Sequence, residues 1–387
     1  MIEYIISKTM STISTNLFEL NENDMTYLIS KPHENLELIH YNKKLLNTEN
    51  MDNYKCVRSI IVDKSDNNKL VMISPFKSLP YEEFKQKYPD NIIVEEFIEG
   101  TMVNVFFASN KWNISTKTNI GGNTKFFSKK TFKELFYEAV DESGIKLELL
   151  DETISYSFVL QHPENRIVYK LMKTRLYLVE AYRLNHKEDT NHTHIEVLNV
   201  IELLKSPAFE DSSVHYPWVH SVDNYDDLDR INMYNKNCMG IIIRNYWNND
   251  RTKKRCKDYE KIRLLRGNNP NLYYHFIELT RNNKVDKFLD YYSEYKTDFE
   301  NWKIMNEEFN NKLYKNYVRC YIKKEMKLGS FPNNYKTHMY HLHEYYKNVL
   351  KPDKKIITID VVNKYIDGID IPLYIWSVKY KVKIIEE

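Results

Sequence analysis

The chain has 387 residues, 42% apolar and 14% aromatic, which excludes a mostly disordered protein and leaves room for two domains. A formal net charge of only +2 excludes a protein that attracts polyanions with its whole surface, so any nucleic-acid face must come from local clustering. Cys56, Cys238, Cys256 and Cys320 lie far apart with no C-x-x-C pair, and there is no signal peptide, lipidation motif or membrane-spanning run; free thiols in a cytoplasmic, membrane-independent protein are expected.

In chain order, residues 55–62 and 69–73 read as strands flanking a polar turn, and Ser74-Pro75-Phe76-Lys77 leads to a short helix over 81–87 that Pro89 stops. Two further strands, 101–107 and 111–118, form a hairpin directly behind Glu99-Gly100. Apolar residues at 132, 135, 136 and 139 give the helical i, i+3, i+4, i+7 pattern with Thr131 or Lys130 near its start. Residues 156–160 predict a strand, followed by a turn centred on Pro163 and a strand over 166–169. Residues 176–184 continue the sheet. The stretch 186–230 is charged and irregular, with an acidic run over 223–229. His162, His186, His192 and His194 stand in polar loops without a supporting cysteine pattern, and no metal site is read from them.

Residues 238–244, Cys-Met-Gly-Ile-Ile-Ile-Arg, form another strand, and residues 251–266 carry eight Lys/Arg against two acids. After the turn signal Gly267-Asn268-Asn269-Pro270 the periodicity becomes helical. Tyr295, Phe299, Trp302, Phe309, Leu313 and Tyr317 recur as the stripe of a long amphipathic helix ending near Gly329, a second helix covers 335–347, and short apolar elements at 356–365 and 372–382 finish the chain. His338 and His341 share a face of that second helix while His343 points elsewhere, which again gives no metal set.

The order of these motifs resembles the covalent nucleotidyltransferases, the superfamily of RNA ligases, DNA ligases and mRNA capping enzymes, and phage-type RNA ligases in particular. Glu99 and Gly100 match the end of motif I, Lys-x-Asp/Glu-Gly, but Phe97 occupies the place of the lysine that bonds the nucleotide, and a phenyl ring has no lone pair with which to attack phosphorus. The motif III segment Pro-Glu-Asn-Arg-Ile-Val is intact at 163–168, whereas Ser157 stands where that family has its ribose-binding glutamate. In motif IV, Met239 replaces the metal-binding carboxylate, and a thioether is a poor ligand for a hard cation. The resemblance implies phosphate or RNA contacts at Arg58, Lys77, Lys117 and Arg166, and at Lys261 and Arg263 in the place of motif V.

What the resemblance implies for the whole chain is an α+β protein: an antiparallel-sheet nucleotidyltransferase domain over 1–267, then a mainly α-helical domain over 268–387. Glu-Gly-Thr-Met and His-Pro-Glu-Asn-Arg-Ile-Val are similar to ligase-like proteins of large DNA viruses. The expected function is a catalytically inactive RNA-binding or assembly module in a viral mRNA-handling or translation complex, without cofactor or metal. Its partners would be RNA at the old cleft and a protein at the helical domain. The alternative is an active ATP-dependent RNA ligase that uses another lysine, Lys117 or Lys111.

Overall fold

Period-two alternation and tight polar turns build the first of two units into antiparallel sheets. The computed structural model describes residues 12–15, 26–47, 49–186, 193–222, 224–228, 231 and 239–380, and the units meet between Leu264 and Leu265, inside the helix Lys257–Arg266. The strands are β1 (Thr12–Thr15), β2 (Leu28–His33), β3 (Leu36–Tyr41), β4 (Ile60–Asp63), β5 (Lys69–Ile73), β6 (Ile92–Glu96), β7 (Thr101–Ala108), β8 (Lys111–Thr116), β9 (Asn119–Ile120), β10 (Ile154–Gln161), β11 (Arg175–His186), β12 (Thr193–Val197), β13 (Val219–His220), β14 (Gly240–Asn245) and β15 (Arg251–Arg255). They form one seven-stranded sheet in the order β1-β12-β11-β10-β7-β8-β9 and two four-stranded sheets, β13-β6-β14-β15 and β2-β3-β4-β5.

One face of the large sheet, carrying Val103, Val105, Tyr156, Phe158, Leu160 and Leu178, buries against Leu135, Phe136 and Ala139 of the helix Phe132–Ser143. Thr131 caps that helix in a reciprocal box with Glu134, and Gly144 ends it in the left-handed region at φ 73°. On the opposite face Tyr182 and Leu184 pack on Ile60, Val62 and Ile73 of the β2–β5 meander. Val94, Ile241 and Ile243 line the inner face of the β6–β14 pair and close over Leu79, Phe84, Tyr225 and Leu228. The other face of β6, β14 and β15 carries Glu95, Arg244, Arg251, Lys253 and Arg255 beside Ile93 and Ile242, and it makes the site.

Two sequence expectations need correction. Residues 55–59 form turns, and the strand begins only at Ile60. Residues 166–169 form no strand, because the backbone amides of Val168 and Tyr169 are taken by a side chain, that of Glu99. The terminal apolar stretches are helices, Ile359–Gly368 and Ile371–Lys379. Cys238, His192 and parts of the acidic run 223–229 lie outside the described residues.

The second unit is helical. The long helix Lys296–Tyr317 buries Phe299, Phe309 and Leu313 and widens into a π-helical turn at Val318–Ile322; Asn333–Tyr345 ends likewise at Tyr346–Leu350. No described helix is long and apolar enough to cross a membrane.

His338, 1% exposed, sits in this unit's core. The Ser377 hydroxyl donates to Leu373 O at 2.8 Å, so His338 Nε2 must be the protonated nitrogen facing Ser377 Oγ at 2.8 Å, and Nδ1 accepts from the Tyr365 hydroxyl at 3.0 Å. Burial, with a smaller push from His341, takes the His338 pKa down to about 4 from 6.5. A depressed folded pKa means that the unfolded chain takes up the proton first, so this stability is complete above pH 6.5 and drains as pH falls towards 4. At pH 5 the loss traceable to His338 should be about 2 kcal/mol. Denaturant unfolding at pH 7 and pH 5 should show that loss in the parent and a smaller one in His338→Gln; equal losses would contradict it.

Candidate functional site

The loop that leads into β7 and the turn that leaves β10 are tied together by polar groups. Glu99, 4% exposed, accepts from the amides of Val168 at 3.2 Å and Tyr169 at 3.1 Å. Gln161 Nε2 donates to Glu99 O at 2.9 Å, and Asn165 Nδ2 donates to Thr101 Oγ1 at 3.0 Å. Burial raises the Glu99 pKa, and the Tyr259 hydroxyl and the two amides oppose that rise. A Cβ on Gly100 would stand 2.4 Å from Leu160 O and 2.6 Å from Val159 Cγ1, so β10 can approach only a glycine here. Glu-Gly and Pro-Glu-Asn-Arg-Ile-Val therefore form one structural clamp.

Beside the clamp, β11 of the large sheet faces β14 and β15 across a buried ion network. Glu180, 1% exposed, takes Arg244 Nη1 at 2.8 Å and also Arg251 Nη1, while Tyr182 donates its hydroxyl to the same carboxylate. Arg244 Nη2 reaches Glu95 on β6 at 2.8 Å. The register, Arg244↔Arg251, Ile242↔Lys253 and Gly240↔Arg255, puts Arg251, Lys253 and Arg255 on one face of β15. Thr252 and Lys254 point the other way, towards Leu79 O and the Tyr81 ring.

That face ends on Phe97. Its amide donates to Gly240 O at 2.9 Å, and its ring carries Lys253 Nζ at 6.0 Å and the Arg255 guanidinium at 5.7 Å. Arg58, also part of this cleft, donates from Nη1 to Pro75 O at 3.3 Å and to Met102 Sδ at 3.4 Å. Lys117 lies over the Tyr41 ring at 4.7 Å. Burial comes first in lowering the pKa of Arg58, Lys77, Lys117 and Lys253, and repulsion from neighbouring cations adds to it. Lys117 feels Arg58, Lys43 and Lys77, and Lys77 feels Lys43 and Arg58. Lys253 feels Arg255, Arg58, Arg251 and Lys77 and is pushed down to about 8. Against the Phe97 wall lies a cavity of about 450 Å³ lined also by Glu96, Gln161, Tyr169 and Tyr177. Gln161 Oε1, buried, has no hydrogen-bond donor among the described residues.

The cleft thus gathers Arg58, Lys77 and Lys117 but not every cation singled out from the sequence. Lys261 and Arg263 lie on the helix Lys257–Arg266, and Lys261 pairs with Asp258 at 3.0 Å while Arg263 pairs with Glu260 at 2.6 Å. The cations in the strand that follows motif IV are Lys253 and Arg255. Read at period two, Arg251-Thr252-Lys253-Lys254-Arg255 would have separated them from the helical part of the same basic run. Arg166 works locally, donating from Nε to Val168 O at 3.1 Å and acting on the charge of Glu99.

The replaced positions are filled by ordinary packing chemistry. Ser157, fully buried, donates to Asn104 Oδ1 at 2.9 Å, and Asn104 donates on to Ser115 Oγ at 3.3 Å. Met239 uses its carbonyl to accept from the Cys256 amide. A divalent metal does not fit these donors: Glu180 and Glu95 are neutralised by arginines, and Glu99 is spent on amides. Elsewhere, Glu138, His162 and Glu164 come within metal-ligand reach of one another, but Lys130 reaches Glu138 at 2.9 Å and Glu164 at 2.7 Å, so an ammonium already bridges the two carboxylates.

No protein-family model matches the chain, and no curated protein does. Solved structures similar to it include ligases. A protein assigned as an ATP-dependent DNA ligase of Aquifex aeolicus shares 12% identity at a TM-score of 0.40, over 84% of this chain and 79% of that one. An archaeal ATP-dependent RNA ligase shares 12% at 0.38, over 65% and 62%. A Naegleria gruberi RNA ligase mutant with ATP and Mn shares 12% at 0.35, over 47% and 54%, so the chain spans about half the length of that enzyme.

The Glu180 network generates a stability prediction. Removing the carboxylate leaves Arg244 and Arg251 buried without their shared partner, and Glu180→Ala should cost about 3–5 kcal/mol in denaturant unfolding. A loss below about 1 kcal/mol would show that the arginines are solvated by other means.

Proposed function

We propose that the protein is a non-covalent RNA-binding module on a nucleotidyltransferase scaffold, holding phosphates in its cationic cleft without transferring a nucleotide. The observation that carries this reading is the convergence of Arg58, Lys77, Lys117, Lys253 and Arg255, each lysine among them held below its ordinary pKa partly by the others. Same-sign groups gathered in a partly desolvated cleft are relieved by an anion, and a phosphodiester backbone supplies several in a row. Binding requires only the charge. Phosphoryl chemistry would also require a nucleophile and a metal, and Phe97, Met239 and the arginine-paired acids provide neither in the family's places.

One observation favours the second reading, covalent nucleotidyl transfer by another lysine. Lys253, with its pKa near 8, stands over the ring that replaces the nucleophile. Lys111 instead is exposed near Glu34, and Lys117 lies over Tyr41. Incubation with α-labelled ATP or GTP and denaturing electrophoresis separates the readings: the module stays unlabelled, and label lost in Lys253→Met would establish transfer.

The binding reading is tested by fluorescence anisotropy with labelled RNA at several salt concentrations. Lys253→Met with Arg255→Met should weaken binding to all sequences alike and lower the salt slope by about 1.4, two phosphate contacts on a single strand. An unchanged slope, or a parent that binds no RNA, would contradict the proposal.

A further inference from the structure

Beside the 450 Å³ cavity the chain displays large apolar side chains to solvent among cations. Met172 is 80% exposed and Trp218 is 64% exposed. The strip that ends in Trp218 is fixed at both ends by the cavity's own walls: the His215 ring lies 5.1 Å from that of Tyr177, and the Glu96 amide donates to Trp218 O at 2.8 Å. Val219 pairs with Glu95 across the β13–β6 ladder, which sets Trp218 opposite Glu96, a residue of the cavity lining. Lys170, Lys173 and Arg175 line the same cavity and are exposed. The acids there, Glu96 and Glu99, are partly or fully buried, so the accessible charge at the mouth is positive.

An indole left in water beside a row of cations has the chemistry of a base-stacking platform: the ring offers a π-face to any nucleobase, and the cations track the phosphates. A duplex keeps its bases stacked on one another and cannot offer one to Trp218. We infer that Trp218, with Met172 beside the cavity and Lys170, Lys173 and Arg175 around its mouth, is a stacking platform that selects single-stranded RNA and leads it to the Phe97 cleft. The inference rests on the RNA-binding reading above and adds to it the strandedness of the RNA and the surface that senses it.

The test is anisotropy with three fluorescein-labelled probes: a single-stranded oligoribonucleotide, an abasic analogue of the same length, and an RNA duplex. Trp218→Ala should lose about tenfold in affinity for the single strand while binding the abasic and duplex probes as the parent does. Trp218→Phe, which keeps a ring, should remain within about threefold of the parent. If Trp218→Ala binds the single strand unchanged while Lys253→Met with Arg255→Met weakens it, the platform is refuted and the cleft reading stands. An equal loss on the abasic probe also refutes the platform, since stacking needs a base. A parent that binds none of the three overturns both.

Discussion

Glu180 imposes the constraint on which the site depends. A carboxylate at 1% exposure is expensive to hide, and it is tolerated because Arg244 and Arg251 of the facing strands, together with the Tyr182 hydroxyl, converge on it. The network fixes β14 and β15 against the large sheet. Once Arg251 points into that network, the pleat of β15 obliges Lys253 and Arg255 to follow on the same face, and Phe97 receives them. A buried structural ion cluster and an open cationic cleft are thus consecutive parts of a single strand face.

Phe97 then has a positive role. Its ring accepts two cations that a lysine would repel. The residues around it have structural roles: Gly100 because β10 leaves no room for a Cβ, and Glu99 because two amides depend on it. Gly240 is held likewise, since a Cβ there would lie 2.1 Å from Lys254 O.

Much of this was legible in the sequence. The β7–β8 hairpin, the Thr131-capped helix and the long helix of the second unit follow from periodicity and caps, which are local. Arg58 and Lys117 could be placed because each sits next to a recognisable strand. What could not be read was where side chains override local pattern. Residues 166–169 look extended and apolar, yet Glu99, far away in sequence, takes their amides. The basic run after residue 250 contains both a strand and a helix, and composition alone does not mark the break at Cys256, so the strand cations Lys253 and Arg255 were not singled out. Glu180 and Arg251 form their pair across 71 residues, beyond the reach of any motif.

The central claim is that the cluster around Phe97 is an anion site, and the Lys253 ammonium reports on it directly. Linkage requires that an anion bound beside a lysine raise its pKa. Lysine-selective NMR titration, assigned through Lys253→Arg, should find Lys253 near pKa 8 in the free protein and at least one unit higher with saturating RNA. A Lys253 that titrates near 10.5 in the free protein, or whose pKa does not move when RNA is bound, would contradict the account.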